Sequence, residues 1–332
     1  MNSNILVLCD REEEYTRHMS EYLKARKEIP WKIHTYTEAD GLKEFARSTP
    51  IELLVVAEST YQDDMRNLPV EKIVLLNESG VVRWGNIRNI NKYQQAENVY
   101  REILSEYVET MQEPLVRLAE ASNTRLIGFF TPVHRSLQTT FALTMGQMLA
   151  VKYRTLYLSF EYCAGIGELL PDVRTKDLAD LVYFLNTDKE KFLLRMQTMI
   201  MKKGQMDYIP PARAGVMLPT IRTEEWIELL TRIVGSGEYD YIILDLSESI
   251  QGLLEILRMC FKIFTLIGDD RFSRGKLAQY ERLLAMSECE DIIARTSKYR
   301  PPRFRRIPEE VELFTKGDMA DYVRRIVGEV TF

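Results

Sequence analysis

Leu126-Ile-Gly-Phe-Phe-Thr-Pro-Val-His-Arg-Ser-Leu-Gln-Thr-Thr140 reads as a strand, a tight connection and the first turn of a helix. The run at 126–130 is apolar without alternation, as expected of a strand covered on both faces. The helix expected over 139–151 begins with two threonines. A strand, a short loop and a helix N-terminus in succession aim backbone N–H groups at one point, which is how phosphate groups are cradled.

Two further strands strengthen this expectation. Thr155-Leu-Tyr-Leu-Ser-Phe-Glu161 and Tyr239-Asp-Tyr-Ile-Ile-Leu-Asp245 both end in an acid. A carboxylate so placed holds Mg²⁺ beside a phosphate. Around them runs a series of strands at 206–209 and 262–267 and helices at 178–185, 189–201, 224–235, 253–260 and 275–286. Residues 290–295 are predicted as the last strand and 318–328 as the closing helix. Upstream, strands at 4–9, 31–36, 51–57, 72–76 and 86–90 alternate with helices at 12–27, 38–48 and 94–120, the last read as one long helix or as two shorter ones broken near Pro114. This rhythm predicts two doubly wound α/β domains, over 1–118 and 119–332, with the joint near 110–124.

Composition agrees with two domains. The chain has 332 residues, 45% hydrophobic and 28% charged, the balance of a soluble globular protein at roughly 150 residues per domain. No apolar run approaches the ~20 residues of a spanning helix. The start lacks a basic stretch before its apolar run, unlike a signal peptide. The four cysteines form no CxxC pair and the three histidines are scattered, so a reducing cytoplasm and no structural metal are expected. Residues 1–120 carry 15 Lys+Arg against 21 Asp+Glu; residues 121–332 carry 29 against 28. Bulk charge therefore excludes a general polyanion binder, but Arg300, Arg303, Arg305 and Arg306 mark one local anion patch.

The order and spacing of these pieces resemble the MinD/ParA family of deviant P-loop ATPases, and the N-terminal third looks like a response-regulator receiver domain. That combination is the architecture of the TadZ/CpaE pilus-assembly proteins. The family loop is S-P-K-G-G-x-G-K-T-T. Here Thr131, Pro132, Val133, His134, Arg135, Ser136, Leu137, Gln138, Thr139 and Thr140 take its places. Val133 and Gln138 replace both lysines, while His134, Arg135 and Leu137 replace all three glycines. Glycine permits positive φ and close backbone approach, and a lysine neutralises charge as the γ-phosphate departs; both are gone. By the resemblance, Thr139 and Asp245 fall at the magnesium positions and Glu161 at the water-activating one. Arg135, Gln138 and Thr140 complete a nucleotide site if any is retained. With structural roles alone, Thr139 starts a helix and Asp245 caps a loop.

The receiver-like part is eroded in the same way. Asp10 keeps the acid after the first strand, Ala57 stands where the acceptor Asp is expected, and Lys92 matches the usual lysine. Glu58 reads as a surface side chain, or as a standing negative charge. The resemblance implies a cytoplasmic pseudo-ATPase scaffold without a cofactor. It would be a homodimer contacting protein partners in a pilus or secretion assembly, peripheral to the inner membrane face through those partners. The alternatives are an ATPase using ATP and Mg²⁺ through the altered loop, and a regulator gripping nucleic acid or anionic membrane through 295–306. The plain reading of that stretch is a solvated loop pairing with Glu309, Glu310 and Glu312.

Overall fold

The computed structural model describes residues 5–25, 31–110, 123–134, 137–165, 176–304 and 306–330, with the side chains of 108–110 excluded. The chain divides into two compact units, Met1–Val116 and Arg117–Phe332. The joint expected near 110–124 falls mostly on residues 111–122, outside the described ones.

Among the described residues the first unit holds five parallel strands: β1 (Ile5–Cys9), β2 (Lys32–Tyr36), β3 (Ile51–Ala57), β4 (Val70–Asn77) and β5 (Arg88–Asn91). They lie in the order β2-β1-β3-β4-β5, a doubly wound arrangement whose direction reverses at β1. Helices α1 (Glu13–Lys24), α2 (Ala39–Ser48) and α3 (Ala96–Thr110) connect them. The part of the expected 94–120 helix beyond Thr110 is outside the described residues. The central strands β1 and β3 are almost wholly buried, which explains their unbroken apolar sequence. The carboxyl ends of β1, β3 and β4 bring Asp10, Glu58 and Glu78 to one end of the sheet.

Among the described residues the second unit has seven strands, lying in the order β12 (Thr296–Tyr299), β11 (Lys262–Leu266), β6 (Arg125–Phe129), β10 (Tyr241–Asp245), β7 (Thr155–Ser159), β9 (Met206–Tyr208) and β8 (Met201–Lys203). Its centre is β6 (Arg125–Phe129), β10 (Tyr241–Asp245) and β7 (Thr155–Ser159), all parallel. Alternate residues of these strands build two cores, because successive side chains point to opposite faces. Leu126, Leu156, Leu158, Ile242 and Leu244 face one; Ile127, Phe129, Tyr157, Tyr241 and Ile243 face the other. The first core is closed by α5 (Leu178–Thr187), α6 (Phe192–Met199), α7 (Thr223–Gly235) and α8 (Leu253–Met259), with Trp226 at its centre. The second is closed by α4 (Gln138–Ala150) and α11 (Gly317–Val327). Helix α4 is buried nearly all round, its polar Gln138, Thr144 and Gln147 included, and lies directly on the sheet. A β-carbon at Gly146 would come within 2.4 Å of the Met206 sulfur.

Two predicted elements differ from the structure. The strand predicted over 290–295 is instead helix α10 (Glu290–Arg295). Ile292-Ile293 suggested a strand, but Glu290 and Asp291 in the first turn and Arg295 in the last match the helix dipole. The strand comes next, as β12 (Thr296–Tyr299), parallel to β11 (Lys262–Leu266). The helix predicted to run to 201 stops at Met199, and Met201–Lys203 is the edge strand β8. It folds back on β9 (Met206–Tyr208) through a two-residue turn in which Gly204 takes φ +61°, a requirement of tight hairpins.

Gly215 begins a short 3₁₀ helix, Gly215–Thr220. Its missing β-carbon would lie 1.8 Å from the Tyr162 carbonyl oxygen. A backbone atom cannot swing aside as a side-chain tip can. Gly215→Ala is therefore expected to cost about 2–3 kcal/mol, measured as the loss of unfolding free energy in urea, whereas Gly275→Ala, with open space around it, does not destabilise.

Candidate functional site

The carboxyl ends of β6, β7 and β10 lie side by side, with Phe129, Ser159 and Asp245 in register. A cavity of about 340 Å³ opens above them, lined by Thr131, His134, Gln138, Thr139, Glu161, Tyr162, Cys163, Leu246, Ser247, Glu248 and Ser249. The loop after β6 is pinned at its start. The Thr131 hydroxyl donates to the Leu266 carbonyl at 2.6 Å and accepts from the Val133 N–H at 3.2 Å. His134 then takes φ +54°, a conformation that favours glycine.

Helix α4 begins at Gln138, one residue before Thr139, and no side chain caps it. The buried Gln138 side chain turns inward. Its amide donates to Asp245 Oδ1 at 2.8 Å, to the Leu246 carbonyl at 2.9 Å and to Glu161 Oε1 at 3.4 Å. Tyr157 donates to Asp245 Oδ2 at 2.9 Å, so each oxygen of this wholly buried carboxylate has a donor from the chain itself. Burial pushes the Asp245 carboxyl above its usual range, and hydrogen bonds from Gln138, Thr139 and Tyr157 partly offset that. Asp245 is therefore no loop cap.

Burial, then the neighbouring Asp245 and Glu248 carboxylates, push Glu161 up to about 7. His134 Nε2 stands 3.4 Å from Glu248 Oε1. Among the described residues that line the cavity, Glu161 and Glu248 bring carboxylates and Thr131, Thr139, Tyr162, Ser247 and Ser249 bring hydroxyls, beside His134, Gln138, Cys163 and Leu246. Sequence reasoning had found Glu161 and Asp245 but missed Tyr157 and Glu248, whose roles depend on which strand lies beside which. Thr140 sits one position along α4 and does not line the cavity. Arg135 lies outside the described residues.

A second cluster stands at the carboxyl end of the first unit's sheet. Lys92, wholly buried, places its ammonium 2.8 Å from Asp10, 2.9 Å from Glu12 and 2.7 Å from Glu78. One oxygen of each acid lies within 4.8 Å of the others, a spacing that would suit a cation, and the lysine supplies it. Burial alone would lower the Lys92 pKa, but hydrogen bonds to Asp10, Glu78 and Glu12 raise it overall. Sequence reasoning named Asp10 and Lys92 but not Glu12 and Glu78. Ala57 ends β3, buried.

Glu58 is not the surface residue that its sequence suggested. It is buried and accepts from the N–H groups of Glu78 and Ser79 and from the Ser79 hydroxyl, with Arg83 3.3 Å away. Burial opposes its charge; the Ser79 and Glu78 donors and Arg83 outweigh that and lower its pKa.

Among the described residues, the arginines of the basic stretch border two different depressions. Arg300 pairs with Asp269 at 3.2 Å, and with Arg303 it lines a crevice of about 680 Å³ beyond β11 and β12. Arg306 lines a separate depression with Glu309 and Glu310, and Arg305 lies outside the described residues. Glu312, expected as a partner of this stretch, instead meets Lys203 at 2.8 Å. The aromatics pack inward: Tyr299 against Phe141 and Phe264, Phe304 against Tyr322.

No protein-family model matches the chain, and no curated protein does. Solved structures are similar over its larger part. A ParA family ATPase from Chlorobium tepidum TLS matches at 16% identity over 62% of this chain and 99% of that one, with a TM-score of 0.48. A plasmid partition protein from Borrelia burgdorferi matches at 14% identity over 62% and 97%, TM-score 0.45. The MinD cell division protein of Aquifex aeolicus matches at 16% identity over 63% and 99%, TM-score 0.41. At such identities and scores these likenesses stand beside the strand order without adding to it.

Two outcomes follow from the clusters. A carboxyl raised in the native state keeps a proton that the unfolded chain has released, so stability falls as pH rises from about 4.5 to about 7. Glu161→Gln is thus expected to stabilise at pH 8 by about 1 kcal/mol, discounted for solvent screening of a half-buried group, and to be near neutral at pH 5. Urea titrations at the two pH values check it. Lys92→Met leaves three acids facing one another and is expected to cost about 3–5 kcal/mol, read by the same method.

Proposed function

We propose that this chain is a non-hydrolysing, MinD/ParA-like scaffold, with a pseudo-receiver domain over 1–118 and a degenerate phosphate loop in 119–332. Its work is protein–protein contact, as a homodimer, in placing a pilus or secretion assembly, as in the TadZ/CpaE proteins. It acts from the cytoplasm and meets the inner membrane face through its partners.

The observation that carries this reading is the Gln138 amide on Asp245 and the Leu246 carbonyl. At the position where the family loop has a lysine aimed at phosphate, this chain has a neutral side chain occupied with its own strand end. A phosphate entering there would meet Glu161 and Glu248, at a cost for like charges in a partly dry site. The first unit supports the same conclusion. Ala57 cannot accept a phosphoryl group, and Lys92 is already saturated by three carboxylates.

One observation favours a second reading, a weak ATPase binding ATP and Mg²⁺: Thr139 and Glu161 line one cavity, and the buried Asp245 is hydrogen-bonded to Thr139. The nucleic-acid reading has less support, because Tyr299 and Phe304 are packed inward and do not offer stacking faces.

Calorimetric titration with ATP, with and without Mg²⁺, separates the first two. No binding up to millimolar ATP and no phosphate release are expected. Micromolar affinity with steady phosphate release would replace the scaffold by the ATPase.

A further inference from the structure

Helix α9 (Arg271–Met286) follows β11 and touches the core along a narrow line. Ser273 and Leu284 are buried, with Leu277, Tyr280 and Glu281 partly so; at 3.6 residues per turn these five share one face. The opposite face carries large apolar side chains in water. Phe272 is 83% exposed, Leu283 48% and Met286 86%. They fall at i, i+11 and i+14, one stripe about 21 Å long.

Cations border the stripe on both sides, Lys276 on one edge and Arg271 and Arg282 on the other, with Arg274 further round. All four are exposed, and among the described residues none has an ion-pair partner. The helix offers no carboxylate to compete for them: Glu281 is engaged by Lys298, and Asp270, just before the helix, accepts from Ser273 at the cap. The chain as a whole is acidic, at −5, so the charge of this helix is local.

We propose that the exposed face of α9 is a docking surface for an anionic lipid bilayer, lying flat on it. A straight apolar line edged by cations on both sides matches a plane of negative headgroups over hydrocarbon. Phe272, Leu283 and Met286 enter the acyl boundary while the arginines and lysine stay among the headgroups. This surface does not depend on the scaffold reading, since it uses none of the cavity residues, and it adds direct membrane contact to the contact through partners proposed above.

The test is co-sedimentation of the full chain with vesicles of phosphatidylcholine alone and with about 30 mol% phosphatidylglycerol. Binding to the anionic vesicles only is expected, weakening as salt screens the headgroups. Each cation near such a surface contributes about 1 kcal/mol, so Arg271→Ala/Arg282→Ala should weaken binding about 25-fold. Phe272→Ser/Met286→Ser, which keeps every charge, should abolish the remainder. Both variants alter exposed side chains, and unchanged circular dichroism confirms their fold. Wild-type binding equal on both vesicles, absence of binding to the anionic ones, or binding that survives Phe272→Ser/Met286→Ser would each overturn the proposal. So would a wild type whose α9 face is consumed by self-association, seen in light scattering as a dimer that Phe272→Ser/Met286→Ser dissolves.

Discussion

The centre of the second unit depends on a buried carboxylate that must be satisfied. Asp245 ends the most buried strand of a seven-stranded sheet, where an unpaired charge would be very costly. The chain answers with Gln138 from the start of α4 and Tyr157 from the neighbouring strand. These bonds tie the helix N-terminus, β7 and β10 together below the cavity. They also turn the Gln138 amide and the Tyr157 hydroxyl down into the sheet.

The first unit solves a similar problem with a different group. Three acids converge because β1, the turn before α1 and β4 all end at one edge, and the Lys92 ammonium is set among them. Beside it Glu58 is held by two backbone N–H groups and the Ser79 hydroxyl. In both units, charged groups at the strand ends are closed by neighbours from the same chain. Pre-formed polar networks of this kind stiffen the strand ends they join.

Much of the fold was legible because apolar runs and helical spacing are local signals. The strand at Ile51–Ala57 and the β6–α4 turn were placed to within a residue. The failures have physical causes. Residues 290–295 hold two adjacent isoleucines in a segment too short for periodicity to decide, and the charges at its ends were the better guide. Met201–Lys203 is a strand only because Gly204 permits a tight turn back onto β9. At the sites, the sequence identified residues by position in a motif, such as Asp10, Lys92, Gln138 and Asp245. It missed those that matter through three-dimensional neighbours, namely Glu12, Glu78, Tyr157 and Glu248. Glu58 was misjudged because burial at a strand end depends on the next loop, which cannot be read from one residue.

The left-handed backbone at His134 has a wider consequence. An L-residue held there bears about 1 kcal/mol of strain, yet the chain still makes the turn. Three residues earlier, the Thr131 hydroxyl, fastened to the Leu266 carbonyl, holds the backbone on the upstream side of the bend. A chain clamped so close to a corner can be kept in a shape that its own side chain would not choose.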